Sequence, residues 1–189
     1  MTTPPSEAGF TLPELAITIL LAALITSIAI PGLSNLTSSS KHSATVNEYR
    51  SAFSFARSKA VSTRKIVTLC PLSPSHNCTD QWEGQIAVFL DDDDDKRPDG
   101  DEVLRRLTPT TFSQKVLART AHRDYFQFDQ SGLSKGSIGS LVICTPLSAE
   151  GYKLTYLALS MGGRLRATQD ENEDGKLTLP WGTVIHCDS

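Results

Sequence analysis

Residues 9–30 read GFTLPELAITILLAALITSIAI, and this stretch decides the architecture. From Leu15 through Ser40 no residue is charged, and Leu15–Ile30 is apolar on every side of a helix. A helix without a polar face belongs either in a membrane or deep in a core. Phe10 to Ile30 spans 21 residues, against the ~20 that cross a hydrocarbon layer, so the length favours a membrane span. An ordinary cleaved secretory signal is the rival. Against it, Met1–Gly9 carries only Glu7 where such a signal has a basic segment, and acidic Glu14 stands at the mouth of the apolar run.

The remainder of the 189-residue chain is long enough for one compact domain. Its net charge is −3, from 18 basic and 21 acidic residues, which excludes a broadly basic surface for nucleic acid or membrane. Any anion site must be local. Pro31-Gly32 is expected to kink or loosen the helix, because proline lacks the amide donor and glycine is a poor helix former. The helix then resumes: Val46, Tyr49, Phe53, Ala56 and Ala60 recur at spacings of three and four, against a face carrying Lys41, Arg50, Arg57 and Lys59. After Arg64 the periodicity changes to short runs broken by turn residues. Strands are predicted at 66–70, 85–90, 103–107, 125–128, 141–145, 153–160, 164–168 and 183–187. Several antiparallel strands on one helix make an α+β fold.

The hexapeptide Gly9-Phe10-Thr11-Leu12-Pro13-Glu14, with the apolar run behind it, resembles the type III signal of type IV pilins and pseudopilins, and the chain is similar to the GspH/FimT/FimU minor pilins. The resemblance continues through Ala56-Arg57, 67–70, Cys78, Trp82, 88–91, Phe128 to Gly132, 141–144 and Gly163-Arg164. It implies a pilin-like fold, with a long N-terminal helix, half transmembrane and half amphipathic, packed on a small antiparallel β domain. It also implies cleavage by a prepilin peptidase between Gly9 and Phe10, with methylation of the new N-terminus. The expected organisation is a leader at 1–9, a membrane and assembly half of the helix at 10–31, an amphipathic half at 32–64, and a periplasmic β-rich region at 65–189. The resemblance gives Glu14 a role in assembly: pairing with the N-terminal amine of a neighbouring subunit's Phe10 would offset the burial of both charges. The leader departs from the family in having no basic residues. The implied partners are other minor and major pilins, and the implied location is the inner membrane, single-pass, then a pilus or pseudopilus.

Four cysteines in an exported domain point to two disulfides, with three pairings possible. The favoured one joins Cys70 to Cys78, closing a short loop, and Cys144 to Cys187, tying the C-terminus to a central strand. A Cys/His metal site using His76 and His186 is the alternative, without CxxC or HxxxH spacing behind it. The histidines otherwise read as surface residues. Asp91, Asp93, Asp95 and Glu102 fall at positions 1, 3, 5 and 12 of an EF-hand-like calcium loop, but Lys96 stands where that loop needs glycine. The stretch 170–175 opens in the same way and has Trp181 where the last ligand belongs. Both read first as solvated acidic loops.

Gly162-Gly163-Arg164-Leu165-Arg166 resembles the GRxR motif of FimT-like minor pilins, where it is linked to capture of DNA in natural transformation. In a strand, Arg164 and Arg166 would share a face about 7 Å apart, which suits phosphate contacts to double-stranded DNA without reading its sequence. Lys135, Lys153 and Lys176 are candidates to extend the patch, and the acidic run 170–174 weakens it. No nucleophile, base and orienter fall at a recognisable spacing, so neither an enzyme nor a cofactor is expected. The sequence therefore points to a minor pilin of the type IV pilus that takes part in assembly or the tip complex and is a candidate DNA binder. The alternative is a GspH-like pseudopilin of type II secretion.

Overall fold

The computed structural model describes residues 11–107, 114–136, 138–147 and 151–187. Helix α1 runs from Leu12 to Thr63, 52 residues, or about 78 Å at 1.5 Å per residue. It begins where the sequence allows: Thr11 is extended, Pro13 lies in the first turn where no amide partner is needed, and the Glu14 carboxylate accepts hydrogen bonds from Thr11 N (3.1 Å) and Oγ1 (2.8 Å). The backbone stays helical through Pro31 and Gly32 and ends at Arg64, which is left-handed at φ 54°. Among the described residues no helix is long and apolar enough to cross a membrane. The described apolar side chains of the first turns, including Leu15, Ile17, Ile19, Leu20, Leu21, Leu24 and Ile25, all stand exposed.

Among the described residues ten strands follow: β1 (Val67–Pro71), β2 (Ile86–Leu90), β3 (Val103–Leu107), β4 (Lys115–Arg119), β5 (Phe126–Phe128), β6 (Gly139–Pro146), β7 (Tyr152–Leu159), β8 (Leu165–Gln169), β9 (Lys176–Thr178) and β10 (Val184–His186). They form a four-stranded sheet in the order β3-β2-β1-β5, a second in the order β4-β6-β7-β8, and a β9-β10 hairpin, all with antiparallel pairing. The fold is therefore α+β, one long helix against antiparallel sheets.

The two-residue period of the strands assigns their faces. Val67, Leu69, Ile86, Val88, Leu141, Ile143, Leu157 and Leu159 join the helix stripe Val46, Tyr49, Phe53, Ala56 and Ala60 in one core. Phe53 stands edge-on to Phe126 at 4.9 Å, and Trp82 to the same ring at 5.2 Å. The alternate residues build two smaller cores on the outer faces. One is Cys70, Ala87 and Phe89; the other is Val142, Cys144 and Leu154 beneath Leu177, Leu179, Ile185 and Cys187 of the hairpin and its flanks.

His42 is not a surface residue. It lies 1% exposed between helix and second sheet, its Nδ1 2.8 Å from Thr145 Oγ1 and its Nε2 2.7 Å from Thr155 Oγ1. Gln114 Nε2 donates to the same Thr145 hydroxyl, and Thr45 Oγ1 donates to Gln114 Oε1. Burial, helped by the charge of Lys153, lowers the pKa of His42 to about 4. Both ring nitrogens are satisfied only because threonines from β6 and β7 meet the helix at that level, which the spacing of histidines along the chain does not reveal.

Candidate nucleic-acid interface

Gly163 sits in the β7–β8 turn, where Gly163 N donates to Ser160 O (2.9 Å), Ser160 N to Arg164 O (3.0 Å), and Arg164 N to Ser160 Oγ (3.2 Å). Its φ is +68°, and a Cβ there would lie 2.1 Å from Gly132 O. Glycine is required at this position by both conformation and space. Gly132 O also accepts a hydrogen bond from Arg57 Nε (3.0 Å), and Ser134 N donates to Met161 O (3.0 Å). Asp129 shapes the loop, its Oδ1 accepting from Ser131 N, Ser131 Oγ and Leu133 N. Burial would raise its pKa, yet these bonds hold it below the ordinary carboxylate value. Three segments far apart in the chain, Ala56-Arg57, Phe128–Gly132 and Gly163-Arg164, thus meet at one corner.

Arg164 and Arg166 are both exposed and flank Leu165, which packs on the main core. Arg166 lies opposite Ala158 on β8, an edge strand of the second sheet. The lysines do not extend this pair into a broad patch. Lys135 is ion-paired with Asp94 at 3.0 Å and Lys153 with Glu173 at 3.5 Å, while Lys176 lies exposed on β9. In the acidic run, Asp170 turns inward and closes its own loop, Oδ1 accepting from Asn172 N and Oδ2 from Gly175 N.

A groove of about 750 Å³ runs between α1 and the start of β8 and brings Arg50, Arg57 and Arg164 together. The sequence placed Arg50 and Arg57 on the polar face of the helix but gave no sign that Arg164 would stand opposite them.

The remaining candidates divide. Cys70 is bonded to Cys78 and Cys144 to Cys187, so no thiolate remains for a Cys/His metal site. Asp91, Asp93 and Asp95 offer oxygens within 4.8 Å of one another; Glu102 is not part of that group. Asp91 is already engaged: it is buried, with Oδ2 accepting from Thr68 Oγ1 (2.6 Å) and Gln127 Nε2 (2.8 Å) and Oδ1 accepting from Lys96 N (3.0 Å). The charge of Asp94 is met by Lys96 (2.8 Å) and Lys135 (3.0 Å). Gly9 and Phe10 lie outside the described residues.

A long helix whose apolar side chains from Leu12 to Ile25 stand bare, and whose later turns pack on antiparallel sheets, defines a pilin-like subunit. The family model described as type II transport protein GspH matches residues 45–163, and the chain belongs to that family. Two crystal structures of the type IV minor pilin FimU from Pseudomonas aeruginosa share the fold at 17% sequence identity. One aligns with a TM-score of 0.54 over 72% of this chain and 97% of that one; the other aligns with a TM-score of 0.50 over 68% and 97%. No curated protein matches. The chain is thus a minor pilin or pseudopilin of a type IV pilus or a type II secretion system, a structural protein and not an enzyme.

Proposed function

We propose that the chain is a minor pilin of the type IV pilus, anchored in the inner membrane by residues 10–31, that joins the assembly or tip complex and binds double-stranded DNA through its phosphates. The bare apolar side chains from Leu12 to Ile25 support the anchor and fibre-core role, because an isolated helix exposing them in water would carry a large unfavourable hydration cost. Processing at Gly9 and pairing of Glu14 with a neighbour's Phe10 amine belong to the same reading. In the single subunit the Glu14 carboxylate is held by Thr11, one residue after Phe10, so the charge already stands at the end of the helix where that amine would approach. The likeness to FimU favours a pilus. The GspH description favours a secretion pseudopilus as the second reading, and the genes adjoining this one distinguish the two.

The observation that carries DNA binding is the pair of exposed arginines flanking Leu165 at an edge strand, with no carboxylate in a salt bridge to either among the described residues. Two guanidiniums so placed make bidentate phosphate contacts, whose strength falls steeply with salt. The test is a titration of duplex DNA against the full chain in detergent, with disulfides intact, at low and physiological salt. Salt-sensitive binding lost in an Arg164→Gln/Arg166→Gln variant supports the reading. Equal binding by both proteins overturns the assignment of these residues, and binding by neither overturns the DNA reading.

A further inference from the structure

The Arg164 side of β8 faces a second source of positive charge that the GRxR pattern does not contain. The groove between α1 and β8 carries Arg50 and Arg57 on the helix and Arg164 opposite, and no aspartate or glutamate lines it. Arg50 is exposed, and no salt bridge joins any of the three arginines to a carboxylate among the described residues. Arg57 commits its Nε to Gly132 O, which fixes the guanidinium in place on the groove wall. Ser54 and Ser58 add hydroxyl donors one helical turn apart along the same wall.

We infer that this groove is a track for one phosphodiester backbone of bound duplex DNA, continuing from the Arg164 and Arg166 contacts onto the helix. Arg50 and Arg57 are seven residues apart, about 10 Å along the helix axis. A polyanion with a regular charge repeat can place a separate phosphate against each guanidinium. Serine hydroxyls between the guanidiniums suit phosphate oxygens, which accept several hydrogen bonds each. The track reads no bases, so it adds affinity and orientation without sequence preference. The inference rests on the DNA reading of Arg164 and Arg166, and its test separates the two.

The test titrates a mixed-sequence duplex against the full chain in detergent and against Arg50→Gln, Ser58→Asp and Lys41→Gln variants at several salt concentrations, with Arg164→Gln/Arg166→Gln alongside. Lys41 lies on the same helix, exposed and outside the groove, and loses the same charge as Arg50. Arg50→Gln should weaken binding about 3- to 10-fold at physiological salt and reduce the salt slope by about one. Ser58→Asp should weaken it further, and Lys41→Gln should leave it nearly unchanged. Loss in the Arg164/Arg166 variant with unchanged binding by Arg50→Gln and Ser58→Asp overturns the track and leaves the DNA reading standing. Equal weakening by Arg50→Gln and Lys41→Gln reduces the effect to net charge and also overturns the track. Absence of binding by the unchanged chain overturns both.

Discussion

A methyl group at position 163 would stand 2.1 Å from the Gly132 carbonyl oxygen, on a backbone whose φ of +68° already disfavours a side chain. Gly163→Ala should therefore cost at least about 2 kcal/mol and displace Arg164 with the turn. A thermal melt that leaves the midpoint unchanged would contradict this packing. His42 makes a prediction of a different kind. Its pKa is about 4 in the folded chain against about 6.5 when unfolded, so the unfolded state binds more protons between those values. Stability from this group is whole above pH 6.5, falls as pH drops toward 4, and changes no further below. The loss should be on the order of 2 kcal/mol once solvent screening is allowed for. His42→Gln should flatten the dependence of melting temperature on pH in that window, and identical profiles would contradict the assignment. Neither residue's role was legible from its neighbours in sequence: Gly163 was recognisable as part of a motif, but its need for glycine comes from Gly132, and the histidine is buried by threonines more than a hundred residues away.

At the scale of the element, the helix was the most legible part. Its stripe from Val46 to Ala60 is buried as the periodicity requires, because one apolar face has only one way to be covered. The longer strands followed from alternation for the same reason. Strands β4 and β9 did not, and the causes differ. In β4 only Val116 is fully buried, with Leu117 turned to the outer core, so Lys-Val-Leu-Ala-Arg shows no clean two-residue pattern. In β9 three residues beside an acidic turn pair only with β10. That hairpin is held to the second sheet by Leu177, Leu179 and Ile185 and by the bond from Cys187 to Cys144. The two disulfides close loops with separations of 43 and 8 residues, and chain-entropy arguments give about 4 and about 2.5 kcal/mol respectively. Replacing Cys144 and Cys187 together by serine should thus lower the unfolding midpoint more than replacing Cys70 and Cys78. The reverse order in a denaturant titration would contradict this account of the hairpin.

Across the whole molecule, two surfaces face outward near opposite ends of α1: the bare apolar side chains from Leu12 to Ile25 and the arginine groove. The first was plain in the sequence, since an uncharged run has few fates. The groove was not, because it exists only once the polar face of the helix is set beside a strand that begins a hundred residues later. Processing and assembly as a pilin subunit are tested by the intact mass of the protein purified from cells that make its peptidase. The expected mass is that of a chain beginning at Phe10, without residues 1–9, with one added methyl group and both disulfides formed. A chain that keeps its first nine residues, or one cut within or beyond the apolar run, would contradict it.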